Sequence, residues 1–215
     1  MALLRAVSTS DLGPVIESDA VTLRTPQMSD YPEWAELRAQ SREFLSPWEP
    51  LWAADELSRA SFRRRVRHYL RDLREDVGYA LFIFAVPTGA LVGGLTLCNV
   101  RRGVTQSCTL GYWIGARYAN QGYMTAAVRA VVPFVFDSLE LHRLEAACLP
   151  SNTASIRLLE RTGFRREGLA RRYLRINGVW QDHLLYALLD TDTCRYRDRQ
   201  AATGEERRSE RLGKG

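Results

Sequence analysis

Residues 110–128 constrain the chain most. They pass from the apolar run Leu110-Gly-Tyr-Trp-Ile114, through a polar stretch at 117–125, into the apolar Ala126-Ala-Val128. A strand that enters a turn and leaves as a helix commits this part of the chain to an α/β arrangement. The turn also has a chemical consequence. Gly122 lets backbone approach a ligand with no Cβ in the way, and the first amides of the new helix, at Tyr123, Met124 and Thr125, have no acceptor within the helix. A pyrophosphate would satisfy those donors and gain from the positive end of the helix dipole.

A chain of 215 residues, 46% hydrophobic and 26% charged, is long enough for one well-cored domain. We expect an N-terminal extension over 1–20, a domain over 21–190 and a basic, disordered tail over 191–215. No apolar stretch reaches ten residues, and the first nine lack the continuous apolar core of a signal peptide. A cytoplasmic protein without membrane contact is the expectation. Cys98, Cys108, Cys148 and Cys194 show no CxxC or Cys/His spacing, so neither a metal site nor a disulfide framework is expected. The net charge is +5, and the stretch from 195 to 215, with seven basic and four acidic residues, holds 7 − 4 = +3 of it. That tail lacks the aromatic interleaving of a nucleic-acid binder, so it reads as solvated; a transient ribosome contact through it is the alternative.

The remaining elements alternate. A short strand is expected over 21–24. A helix over 30–39 should open on a capping box of Asp30 and Glu33, with Trp34 and Leu37 on its apolar face. A second helix over 57–74 carries Phe62, Val66, Tyr69, Leu70 and Leu73 on one stripe and arginines mostly off it. Those arginines read as a solvated face or as a basic surface for an anionic partner. Strands at 79–86, 90–100 and 107–115 form a meander. The helix over 122–138 contains Pro133, which should remove a hydrogen bond and bend it. A buried strand at 143–149 and a helix at 152–162, ended by Gly163, precede a hairpin of 164–176 and 179–189 around Asn177-Gly178. The sum is a mixed α/β domain of about seven mostly antiparallel strands and about four helices.

The phosphate signatures GxxxxGK[ST] and GxGxxG are absent from the strand-to-helix turns. Arg117-Tyr-Ala-Asn-Gln-Gly122 instead resembles the acetyl-coenzyme A motif of the GNAT acetyltransferase superfamily, (Gln/Arg)-x-x-Gly-x-(Gly/Ala), with Asn120 in place of the first glycine. Asn tolerates positive φ and can stand there if the turn needs left-handed geometry. The segment from Asn152 to Phe164 resembles the second block of the same superfamily. Phe44-Leu-Ser-Pro-Trp-Glu-Pro50, Asn99-Val-Arg-Arg-Gly103, Leu110-Gly-Tyr-Trp-Ile114 and Asn177-Gly-Val-Trp-Gln-Asp-His183 are similar to ribosomal-protein-alanine N-acetyltransferases of the Rim type. The resemblance spans roughly 21–189. It implies a GNAT fold with splayed central strands, acetyl-CoA as cosubstrate, no metal, and the N-terminal amine of a ribosomal protein as acceptor. A small amine is the alternative acceptor, and a non-catalytic CoA-binding module at the ribosome the alternative role.

Acetyl transfer to an amine needs a neutral nucleophile, a polarised carbonyl and a proton for the departing sulfur. The resemblance implies that Trp113, Ile114, Arg117, Asn120, Gln121, Gly122, Tyr123, Met124, Thr125, Asn152 and Ser155 bind the cofactor. A backbone N–H near Ile114 would polarise the carbonyl. Ser155, three residues after Asn152, would donate to the sulfur; the plainer alternative makes Asn152 a helix cap and Ser155 a first-turn residue. Glu49, between Trp48 and Pro50, is the candidate base or else a surface acid. Asp182 and His183 point to opposite faces and cannot form a dyad, and His142 and His183 read as structural histidines.

Overall fold

A computed structural model describes residues 13–192, together with the backbone of 8–10; the tail expected at 191–215 falls outside it except for Thr191 and Asp192. Nine strands form one sheet in the order β1-β2-β3-β4-β5-β6-β7-β9-β8. They are β1 (Ser8–Ser10), β2 (Gly13–Glu17), β3 (Val21–Arg24), β4 (Tyr79–Ala85), β5 (Leu91–Arg101), β6 (Ser107–Ile114), β7 (Arg143–Cys148), β8 (Arg165–Ile176) and β9 (Val179–Leu189). The seven expected strands are all present, and β1 and β2 lengthen the β3 edge. Every pairing is antiparallel except β6 with β7.

Among the described residues five α-helices flank the sheet: α1 (Tyr31–Gln40), α2 (Arg42–Leu45), α3 (Arg59–Arg74), α4 (Tyr123–Pro133) and α5 (Thr153–Arg161). Alternation along β4 shows how the two faces are filled. Leu81, Ile83 and Ala85 join a core under α4 and α5, while Phe82 turns to a second core with Trp34 and Leu37 of α1 and Phe62 and Val66 of α3. Both faces of the central strands are therefore covered, which is why their sequences read as nearly unbroken apolar runs.

The ends of the helices follow local chemistry, with one departure from expectation. Asp30 stands at the N-cap of α1, as expected, but its side chain does not cap the helix. Its carboxylate accepts the Gln27 amide at 2.8 Å and forms a two-pronged pair with Arg24 at 2.9 and 2.6 Å, so a 3₁₀ turn precedes a helix that begins at Tyr31. Glu33 instead accepts the Leu91 amide at 2.7 Å and pins α1 to the sheet. After Pro133 the α4 ladder widens into a π turn, Phe134–Ser138, with Leu139 N–H donating to Phe134 O at 2.9 Å. Gly163 closes α5 at φ 95°, with Phe164 N–H on Leu159 O at 3.0 Å. Asn177 and Gly178 take φ 45° and 82°, the geometry of a two-residue hairpin turn.

Candidate active site

The sheet is split at its centre. β6 and β7 pair from Ser107 with Arg143 only as far as Leu110 with Ala146, although β6 continues to Ile114 and β7 to Cys148. Beyond that point β6 is held by β5 alone, through Leu95 with Tyr112, Gly94 with Trp113 and Gly93 with Ile114. The two glycines make this possible. A Cβ on Gly94 would stand 2.4 Å from Trp113 Nε1, and one on Gly93 would stand 2.4 Å from the Trp113 carbonyl. Paired glycines inside an otherwise apolar strand signal close backbone approach, and the sequence reading passed over them. Gly115 N–H donates to Val92 O at 2.8 Å on the β5 side. Amides alternate between the two edges of a strand, so the Ile114 N–H is directed the other way, into the split.

On the face covered by α4 and α5, two helix starts converge on this split. Asn120 adopts φ 59° and Gly122 φ 87°, so Asn supplies the left-handed turn where the motif carries glycine. A Cβ at Gly122 would meet nothing within 4 Å, which leaves open space above the turn. Gln121 Nε2 donates to Arg117 O at 2.7 Å and closes the loop, and the Arg117 guanidinium lies 4.8 Å from the Tyr118 ring centre. The first bond of α4 is Ala126 N–H to Gly122 O at 3.0 Å, with no side chain capping the end, so the amides of Tyr123, Met124 and Thr125 have no partner in the helix. These residues fit a pyrophosphate by geometry and charge.

At the start of α5, Asn152 is the N-cap, its Oδ1 accepting the Ser155 amide at 3.0 Å. Ser155 is buried, and its Oγ lies 2.5 Å from the hydroxyl of Tyr112 on β6. This hydroxyl pair bridges the split. Burial pushes the Tyr112 phenol well above its ordinary pKa, against a smaller opposite effect of the Ser155 bond, so Tyr112 keeps its proton. The sequence pointed to Ser155 but not to Tyr112, which is 43 residues away along the chain. Burial also raises the Cys148 thiol beside them, which holds it as a neutral group.

The opposite face is built differently. Trp113 turns away from the cofactor-side residues and packs edge-on to Phe82. Arg38 of α1 is only 7% exposed and lies between aromatic rings, 4.3 Å from Trp52 and 4.9 Å from Trp113. Its two terminal nitrogens meet both oxygens of Glu49 at 2.6 and 2.7 Å, and Trp52 Nε1 adds a third bond to that carboxylate at 2.9 Å. The carboxylate considered as a base is thus clamped on both oxygens, an arrangement suited to holding a loop. That loop is tied at both ends: Asn177 N–H of the hairpin donates to Glu49 O at 2.9 Å, and Ala116 N–H donates to Ser41 Oγ at 2.9 Å. The segment between α1 and α3 therefore roofs the split from the end of β6 to the tip of the β8–β9 hairpin.

The structure brings Ile114, Gly122, Tyr123, Met124, Thr125, Asn152 and Ser155 to the face covered by α4 and α5. It sets the Trp113 and Glu49 side chains on the other. Among the described residues no group of three His, Cys, Asp or Glu side chains is placed to hold a metal ion. No described helix is long and apolar enough to cross a membrane.

The chain is similar to known proteins. The acetyltransferase (GNAT) domain family matches residues 20–165. A probable N-acetyltransferase of Bacillus subtilis, YjcK, is 34% identical over 178 residues, 83% of this chain and 98% of its own. The [ribosomal protein uS5]-alanine N-acetyltransferase of Escherichia coli is 30% identical over 177 residues, 82% of this chain and 91% of its own. Among solved structures, Mycobacterium smegmatis RimJ in complex with CoA-disulfide superposes with a TM-score of 0.76 at 34% identity, covering 80% of this chain and 83% of that one.

Proposed function

The chain belongs to the GNAT acetyltransferase family and is an acyltransferase, and on that premise we propose that it acetylates the N-terminal α-amine of a protein, with alanine of a ribosomal protein as the acceptor. The observation that carries this reading is the split between β6 and β7. It offers helix-end amides and a hydroxyl pair on one face and, on the other, a loop held over the split by Arg38, Glu49 and Trp52, so donor and acceptor would approach from opposite sides.

Acetyl-CoA supplies an activated thioester, and the protein's residues do the rest. The amides of Tyr123, Met124 and Thr125, with the space over Gly122, take the pyrophosphate; Arg117, Asn120 and Gln121 shape that turn. Asn152 has its Oδ1 committed to the helix end, which leaves its amide hydrogens for the pantetheine arm. The Ile114 N–H stabilises negative charge that builds on the carbonyl oxygen. Removal of such a donor elsewhere costs about 10²–10³ in rate.

Ser155 Oγ–H donates to the sulfur as the C–S bond breaks, and the Tyr112 hydroxyl donates to Ser155 Oγ from behind. Tyr112 suits this role because its phenol holds its proton well above neutral pH. Glu49 and Arg38 hold the roof that excludes water and shapes the entry for a peptide end. Peptides with free N-terminal alanine, serine or methionine, incubated with acetyl-CoA beside a panel of small amines, test the reading. Mass-resolved acetylation of the alanine peptide is expected, and turnover confined to small amines would overturn it.

A further inference from the structure

His183 is an interior titratable side chain that the chemistry above leaves unused. It is 3% exposed, and its Nδ1 lies 3.0 Å from the Gln181 carbonyl. A carbonyl has no hydrogen to give, so Nδ1 carries it and the neutral ring keeps its lone pair on Nε2.

Strand register locates the ring. Leu110 pairs with Ala146 and Ala146 with Tyr186; two residues on, Cys148 pairs with Leu184 where β6 has reached Tyr112. All of these contribute to the core under α4 and α5. One residue further, His183 on β9 and Trp113 on β6 stand at the same height and turn to the opposite face, the face of Arg38, Glu49 and Trp52. β7 has ended by then, so no paired strand separates them there. His183 is therefore on the far bank of the split, on the side from which an acceptor enters.

A bulge in β8 completes the setting. Pairing with β9 is lost between Ala170 and Leu174, and Arg172 takes φ 48°, a left-handed geometry unusual for arginine. Asp182, pointing away from His183, accepts the Arg172 amide at 2.8 Å and fixes this bend. Tyr173 is thereby laid edge-on to His183, with ring centres 5.9 Å apart. The titratable and charged groups to be reckoned with are the Tyr173 phenol against the ring, Arg171 and Arg172 in the bulged stretch of β8, and Arg38 and Glu49, which pair with each other.

We infer, on the acetyl-transfer reading above, that Nε2 of His183 receives the proton of the attacking amine. The N–C bond forms as the C–S bond breaks, the amine proton passes to Nε2, and Ser155 with Tyr112 gives a proton to the sulfur. The products are the amide and the free thiol. Solvent then returns the proton from the imidazole to Tyr112, so the balance closes without another reactant. Tyr173 orients the ring and screens it from water.

The test is the pH dependence of kcat/KM on an N-terminal peptide, for wild type and His183→Gln. CoA binding and thermal unfolding report on the fold of each. Wild type should lose activity as pH falls through two ionisations, that of the peptide's own α-amine and one of the enzyme. His183→Gln, with CoA affinity retained, should be slower by about a hundredfold or more and lose the enzyme's acidic limb while the peptide's remains. A variant that keeps the enzyme's limb and turns over at nearly the wild-type rate overturns the inference, whereas a wild type inert toward every peptide overturns the reading beneath it.

A second measurement does not depend on the variant folding. The chain has three histidines, so His68→Asn with His142→Asn leaves His183 alone, and its imidazole can be titrated by NMR. Its pKa should coincide with the enzyme's kinetic limb, and a clear mismatch overturns the inference.

Discussion

Ser155 and Tyr112, whose hydroxyls meet at 2.5 Å, carry the chemistry in the proposed reading. Replacing Ser155 with Ala removes the donor to the sulfur while Asn152 still caps the Ser155 amide, so kcat should fall by about 10²-fold and CoA affinity change little. Steady-state kinetics beside CoA titration separates the two effects; equal losses in both would make Ser155 a binding residue. Tyr112→Phe should show the same pattern more weakly, because the serine hydroxyl can still donate.

Because burial lifts the Tyr112 phenol above its usual value, its donor stays intact through the pH range where a free tyrosine would begin to ionise, about 10. Wild-type kcat should therefore show no alkaline loss traceable to Tyr112 below about pH 10. A decline at lower pH that vanishes in Tyr112→Phe would contradict this. Residue-level legibility was uneven for a physical reason. Asn120 and Gly163 announce their backbone geometry locally, and both adopt it. The Tyr112–Ser155 pair and the Arg38–Glu49 clamp join residues far apart in sequence, and no local pattern encodes such contacts.

Among the elements, the start of α4 and the roof loop carry the next predictions. Gly122→Ala places a Cβ at φ 87°, which costs about 1–2 kcal/mol of backbone strain, and the same Cβ projects into the space left for a pyrophosphate. CoA affinity should drop by about tenfold or more, while Asn120→Gly should preserve it. Isothermal titration on both variants checks the pair; equal affinities would show that the turn does not hold the cofactor.

Arg38→Met leaves the Glu49 carboxylate without its partner at a site where the arginine is nearly enclosed, and should destabilise the fold by about 3–5 kcal/mol. Adding Glu49→Leu should recover much of that loss, as thermal or denaturant unfolding would show. Losses that simply add would mean the two side chains act separately. At this scale the strands, α3, α5 and the hairpin follow from periodicity and turn residues. The capping box expected at the start of α1 does not form, because the Asp30 carboxylate is drawn into a pair with Arg24 and Glu33 holds the Leu91 amide.

For the molecule as a whole, the proposed reading puts the two substrates on separate faces of the sheet and joins them where β6 and β7 part. The helix ends at Gly122 and Asn152, which the proposal assigns to the donor, have geometries that the sequence carried through local motifs. The acceptor side depends on a roof that links α1, the end of β6 and the β8–β9 hairpin, so its shape emerges only from the assembled fold. Gly93 and Gly94 lie inside a strand that the sequence shows as one continuous run, and their purpose, room for Trp113 against β5, required the folded position of Trp113.

The central claim, acetylation of a protein N terminus, is met most directly by comparing N-terminal peptides from source cells with and without the gene, complemented by wild type or Ser155→Ala. The account predicts that a small set of N termini, including alanine of a ribosomal protein, loses acetylation on deletion and regains it only with wild type. An unchanged set of acetylated N termini, with acetylated small amines lost instead, would contradict it.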